Sequence, residues 1–173
     1  MKKTILFFAI IGISVAAFSQ KKEDDLQMLK FSIGVEAALP LGDFGKGSTF
    51  GIGATAQADY KVTDDLALNV NAGYISFLPK STTVLGTTFK GKAVGYIPIL
   101  GGIRYYFNEQ VFALAQLGVT IATASNASTS LFTYAPGIGY KFSENVDAAL
   151  KYTGYSKNGI NTNTIGVRIA FTF

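Results

Sequence analysis

Among its 173 residues the chain has no histidine, no cysteine and no tryptophan. Without an imidazole or a thiol there is no Ser-His-Asp triad, no cysteine nucleophile, no zinc finger and no haem ligation through His or Cys. Nothing else in the sequence replaces the missing base, so neither an enzyme nor a cofactor is expected. Lack of cysteine also excludes disulfides, and the fold must rest on packing and backbone pairing. Charge is scarce as well, at 15% of residues against about 25% in a soluble domain. Hydrophobic residues make up 49%, aromatics 13%, and there are 19 glycines. The mean hydropathy is +0.30. This balance suits a membrane, and the length suits one domain. Yet after the first 19 residues no stretch approaches the roughly 20 apolar residues that a spanning helix needs.

The N-terminus has the pattern of an export signal. Lys2 and Lys3 precede an apolar run from Ile5 to Phe18, and Ala17-Phe18-Ser19 puts small residues where a signal peptidase cuts. Residues 1–19 are read as a signal peptide cleaved before Gln20, residues 20–29 as a polar tail, and residues 30–173 as the folded unit. Removing Lys2 and Lys3 lowers the formal charge from +4 to +2. The basic pI therefore belongs largely to a discarded segment and implies no nucleic-acid partner.

From Lys30 onward apolar residues alternate with small or polar ones, the period of strands with two unlike faces. Eight segments follow this rule, over residues 30–39, 49–60, 66–77, 93–107, 110–121, 131–142, 146–155 and 162–173. Their length of about 10 residues is what a tilted strand needs to cross a bilayer. Val62-Thr63-Asp64-Asp65-Leu66, Phe107-Asn108-Glu109-Gln110-Val111 and Phe142-Ser143-Glu144-Asn145-Val146 repeat one turn pattern. Between these short turns lie longer polar connections at 40–48, 78–92, 122–130 and 156–161.

The polar face decides between a soluble and a membrane barrel. It is mostly Gly, Thr, Asn and Gln, too small and too weakly charged for a water-exposed surface and suited to a narrow lumen. Each charge within a strand (Lys30, Glu36, Asp59, Arg104, Lys141, Asp147, Lys151, Arg168) falls on that face. None falls on the apolar face, where a charge at the bilayer midplane costs roughly 2–4 kcal/mol. The reading is an all-β, eight-stranded antiparallel up-and-down transmembrane β-barrel with apolar residues outside. Phe31, Tyr60, Tyr105, Phe107, Tyr140 and Phe142, with Phe171 and Phe173, fall near the turns, and Phe50, Tyr74, Phe132 and Tyr152 towards the loops. Two interfacial aromatic girdles are expected from them.

With its signal peptide, its segments Tyr96-Ile97-Pro98-Ile99 to Arg104-Tyr105-Tyr106-Phe107 and Gly137-Ile138-Gly139-Tyr140-Lys141-Phe142, and its end Val167-Arg168-Ile169-Ala170-Phe171-Thr172-Phe173, the mature chain resembles the small Gram-negative outer-membrane β-barrel proteins of OmpA/OmpX or OmpW type. The resemblance implies residence in the bacterial outer membrane, with periplasmic turns and extracellular loops. It also implies lipid contact and recognition of Phe171 and Phe173 by the barrel-insertion machinery.

Inside such a barrel, Glu36 is expected to pair with Arg168, with Lys151 and Arg104 nearby, since charges shut away from water need partners. The cluster reads as a polar plug, or as the lining of a small channel for ions or a narrow apolar solute. Gly86-Thr87-Thr88-Phe89-Lys90-Gly91-Lys92-Ala93 nearly spells a phosphate-binding loop, but Ala93 replaces the required Ser or Thr, and a plain loop is expected. Asn126-Ala127-Ser128 reads as a polar loop tip, and the turn acids lack calcium-ligand spacing. The function expected is a structural or surface-interaction role, with an extracellular partner meeting the loops, above all 78–92.

Overall fold

The structure, a computed structural model, describes residues 28–84, 87–90, 93–124 and 127–173. The residues read as a signal peptide, 1–19, and most of those read as a polar tail, 20–29, lie outside the described residues. Its elements are β1 (Leu29–Leu41), α1 (Phe44–Gly47), β2 (Ser48–Lys61), β3 (Leu66–Pro79), β4 (Ser81–Val84), β5 (Thr87–Lys90), β6 (Val94–Tyr106), β7 (Val111–Ala124), β8 (Ala127–Lys141), β9 (Val146–Lys157) and β10 (Ile160–Thr172). Eight of the strands close in the order β1-β10-β9-β8-β7-β6-β3-β2, while β4 and β5 form a separate hairpin.

Closure follows from the alternation. Ile33, Val35, Val70 and Leu117 point outward and are about three-fifths exposed, whereas Ser32, Glu36, Asn71 and Gln116 are buried in the lumen. A surface of this kind is stable only against lipid, where each unpaired backbone amide costs several kcal/mol and an open sheet edge is excluded. The stagger of the strands can be followed through the pairs Phe31↔Ala58, Ala58↔Val70, Val70↔Gly101, Gly101↔Leu117, Leu117↔Tyr134, Tyr134↔Gly154, Gly154↔Asn163 and Asn163↔Leu41. One circuit thus ends ten residues further along β1 (41 − 31 = 10). For eight strands this tilts each by about 40° and sets a backbone radius of about 8 Å, enough for side chains to fill the interior.

The three repeated turns share one hydrogen-bond scheme. The N–H of Val62, Phe107 and Phe142 donates to the carbonyl of Leu66, Val111 and Val146, at 2.8, 2.9 and 2.9 Å. The second residue of each turn then accepts the returning N–H: Leu66 to Thr63 Oγ1, Val111 to Asn108 Oδ1 and Val146 to Ser143 Oγ. Small polar residues stand there because only a short side chain can reach back to its own backbone. Asn108 also accepts from Gln110 N. Asn108→Ala should lower stability by about 1 kcal/mol, read as a shift of the urea midpoint in lipid vesicles, while Glu109→Ala should leave that midpoint unmoved.

At the opposite end the connections differ from the sequence expectation. Strands β7, β8, β9 and β10 take up most of residues 122–130 and 156–161, which were expected to be loops. Their connections shrink to two residues each. Asn158 and Gly159, at φ 50° and 81°, are the left-handed pair that a two-residue hairpin demands. Residues 78–92 are a correction too: instead of a plain loop, Ser81↔Lys90 to Val84↔Thr87 pair as a hairpin. Parts of the near phosphate-binding stretch and of Asn126-Ala127-Ser128 lie outside the described residues.

Two prolines interrupt the wall. The β3–β6 ladder skips at Pro98, between Ala72↔Ile99 and Ile75↔Tyr96, and the β8–β9 ladder skips at Pro136, between Tyr134↔Gly154 and Gly137↔Lys151. Proline has no N–H to give to a ladder.

Candidate functional site

The lumen is built in tiers. Nearest the turns, Phe112, Leu114 and Ala149 pack with Tyr106, and the Arg104 guanidinium lies 4.3 Å from the Phe112 ring centroid. Arg104 stands between two carboxylates: Nη1 is 3.4 Å from Asp147 Oδ2 and Nε is 3.6 Å from Asp59 Oδ1. Gly139 makes room for this tier, because a Cβ there would run into the Phe112 ring.

Above it lies a net of amides. Gln57 Nε2 donates to both Asp59 oxygens at 3.0 Å, and Gln57 Oε1 accepts from Gln116 Nε2 at 3.3 Å and Asn71 Nδ2 at 3.4 Å. Gln116 Nε2 also donates to Asn69 Oδ1 at 2.7 Å. This net ties β2, β3 and β7 together across the lumen. In a low-dielectric interior such bonds are strong.

Glu36 and Arg168 are opposite each other in register, yet they do not form the expected pair. Glu36 is bound by Lys151, whose Nζ lies 2.8 Å from Oε1 and 2.9 Å from Oε2. Arg168 turns away across β1, where its Nε donates to Thr55 Oγ1 at 2.8 Å and its Nη2 to Ser32 Oγ at 3.1 Å. The reason is glycine. Gly34 lets the guanidinium lie flat over β1, since a Cβ at Gly34 would come within 3.0 Å of Arg168 Cζ. Gly137, opposite Lys151 on β8, makes room for the lysine stem, since a Cβ there would come within 3.1 Å of Lys151 Cγ.

The four singled-out charges therefore divide. Glu36 and Lys151 form one pair, Arg168 bonds to hydroxyls, and Arg104 belongs to a separate lower tier with Asp59 and Asp147. Those two carboxylates and the amides Gln57, Asn69, Asn71 and Gln116 were missed as members of the site. The inward parity of each was the available signal.

Towards the loops, Thr133 donates to Thr120 Oγ1 at 2.8 Å, and aromatic rings follow. Phe77 and Tyr96 are 4.9 Å apart, Tyr96 and Tyr155 5.0 Å, and Phe44 of α1 drops onto Phe77 at 4.9 Å. Phe77 is fully buried, and Ala38 and Ile75 complete this cluster. Among the described residues, no group of three or more Asp or Glu side chains converges as a metal site would.

On the outer surface at the turn end, Phe31, Tyr60, Tyr105, Phe107, Tyr140, Phe142, Phe171 and Phe173 are all exposed. Tyr105 and Phe107, Tyr140 and Phe142, and Phe171 and Phe173 meet edge to face at 5.4, 5.3 and 5.3 Å. At the loop end Tyr74, Phe132 and Tyr152 are exposed as well.

The sequence from residue 5 to residue 173 matches the family model of the outer membrane protein beta-barrel domain. The chain belongs to this family. No curated relative matches it by sequence. Solved outer-membrane barrels share the fold at low identity. The attachment invasion locus protein Ail of Yersinia pestis, in complex with the heparin analogue sucrose octasulfate, is 16% identical, with 84% of this chain and 97% of Ail covered and a TM-score of 0.58. The N-terminal barrel domain of Pseudomonas aeruginosa OprF is 14% identical over 83% of this chain and 97% of its own, with a TM-score of 0.54. A de novo designed transmembrane barrel is 17% identical, covering 83% and 95%, with a TM-score of 0.52. Membership in the outer membrane protein beta-barrel domain family places the chain in the bacterial outer membrane and accounts for its inside-out alternation.

Proposed function

We propose that this chain is a sealed outer-membrane barrel with a structural or surface-interaction role and no catalytic one. The observation that supports this reading is the succession of buried side chains along the lumen. The Phe112 tier, the amide net, the Glu36–Lys151 pair and the Phe44–Phe77–Tyr96–Tyr155 cluster succeed one another inside a wall of about 8 Å radius. In this reading residues 1–19 direct export and are cleaved, and Phe171 and Phe173 are the signal met by the insertion machinery. The turn-end aromatics Phe31, Tyr60, Tyr105, Phe107, Tyr140 and Phe142 anchor the barrel at the inner interface, and Tyr74, Phe132 and Tyr152 at the outer one. Contact with an extracellular partner then falls to the loop end, the end at which β4 and β5 pair as a hairpin separate from the barrel sheet. A bound heparin analogue in the Ail complex supports looking there for a ligand.

One observation favours the alternative, a small channel for ions or a narrow apolar solute. Asn69 Nδ2, Asn71 Oδ1, Gln116 Oε1 and Asp147 Oδ1 are buried without a protein partner among the described residues, and such atoms suit a hydrated path. Conductance of the refolded protein in a planar bilayer separates the two readings. The sealed barrel, verified by its altered gel mobility before boiling, should show no single-channel steps. Steady steps whose size changes in Glu36→Gln or Arg168→Gln would establish the channel.

A further inference from the structure

The charges of the barrel are sorted by height. In the lumen, the cations Arg104, Lys151 and Arg168 are matched by the carboxylates Glu36, Asp59 and Asp147. The turns carry Asp64, Asp65, Glu109 and Glu144, with Lys30, Lys61 and Lys141 at the strand ends beside them. At the loop end the balance reverses: the sequence there has Lys46, Lys80, Lys90, Lys92 and Lys157 against Asp43 alone. Lys92 is placed by sequence only.

Asp43 is engaged by Lys46 at 2.6 Å. Lys80 Nζ donates to the Gly45 carbonyl at 2.6 Å, and Lys157 Nζ donates to Thr129 Oγ1 at 2.9 Å. Both acceptors are neutral, so they steady the ammonium groups without cancelling their charge. Lys80 follows the end of β3 and Lys157 ends β9. In the barrel order these strands have three others between them on either side, which makes them diametrically opposed across a mouth about 16 Å wide. Lys157 shares with Thr129 the lumen-facing side of its ladder, so it stands over the mouth rather than towards lipid. The two-residue β9–β10 connection raises no wall that would enclose a small ligand.

We infer that the loop-end mouth binds an extended polyanionic glycan, a sugar chain carrying sulfate or phosphate groups, across Lys80 and Lys157. Two cations separated by the width of the mouth suit repeated anionic groups on one chain better than a single phosphate. The inference rests on the reading that this end faces outward.

The test uses the refolded full chain in nanodiscs of phosphatidylcholine, titrated calorimetrically with sucrose octasulfate and with sucrose. Octasulfate should bind and sucrose should not, with affinity falling steeply as salt rises from about 0.05 to about 0.5 M. Lys80→Gln with Lys157→Gln should weaken binding about tenfold or more. Lys80→Arg with Lys157→Arg should retain it, and Lys61→Gln with Lys141→Gln at the turn end should not change it. No binding at low salt, or equal loss from both ends, would overturn the inference. Indifference to octasulfate combined with lysine-dependent retention of lipopolysaccharide in mixed vesicles would overturn it in favour of a lipid headgroup. Conductance keeps the two readings apart, because a barrel that conducts and still binds octasulfate refutes the sealed lumen and leaves the glycan site standing. Protease access to residues 80–93 on intact cells checks the orientation separately.

Discussion

Arg104→Leu should destabilise the folded barrel more than any other single change in the lumen, by about 5 kcal/mol. Arg104, Asp59 and Asp147 are each more than nine-tenths buried, and removing the guanidinium takes from both carboxylates the cation that stands between them. Gln57 still donates to Asp59, but a neutral amide offsets only part of a buried negative charge. The Phe112 ring loses its cation as well. The measurement is the urea midpoint of the barrel in lipid vesicles, together with the fraction that keeps the compact gel mobility before boiling. Adding Asp59→Asn and Asp147→Asn to Arg104→Leu should recover most of the loss, because the cost lies in the stranded charges. If the single variant unfolds at the wild-type midpoint, the lower tier carries no net stabilisation.

Lys151→Met should cost about 3–5 kcal/mol, the range for breaking one partner out of a buried ion pair. Glu36 would remain in the lumen with its nearest cation gone. Arg168, held by Thr55 and Ser32 across Gly34, would have to abandon two hydrogen bonds to replace it. The double variant Glu36→Leu with Lys151→Met should lie much nearer to wild type, since a filled apolar tier of similar volume needs no partner. A thermal or urea series over the wild type, the single and the double variant gives the coupling directly. Additive losses would mean that Glu36 and Lys151 act independently, contrary to their 2.8 Å contact.

The wall of the barrel was legible because its signal is local and repeated. Alternation in Phe31-Ser32-Ile33-Gly34-Val35 needs no knowledge of neighbouring strands to assign its faces. The turns at Thr63, Asn108 and Ser143 announce themselves through a side chain that bonds within its own turn. Strand ends at the loop side were less legible: residues 122–124, 127–130, 156–157 and 160–161 are mostly small or polar, yet they continue their strands. Polar residues pair as well as apolar ones once they have passed the hydrocarbon, so composition no longer marks the boundary there. The hairpin β4–β5 escaped for the same reason.

Partners inside the lumen were the least legible of all. Parity put Glu36, Asp59, Arg104, Asp147, Lys151 and Arg168 on one face, and that follows from the sequence alone, as do the number of barrel strands, the membrane-bound character and the place of the apolar surface. Which charge meets which depends on the ten-residue stagger of the closed sheet and on where glycines open a path between strands. Gly34 sends Arg168 over β1 to Thr55, and Gly137 makes room for the Lys151 stem that reaches Glu36. Alternation is a property of one strand, whereas register and the gaps over glycine exist only when the eight strands have closed, and so the pairing was a decision of the tertiary structure.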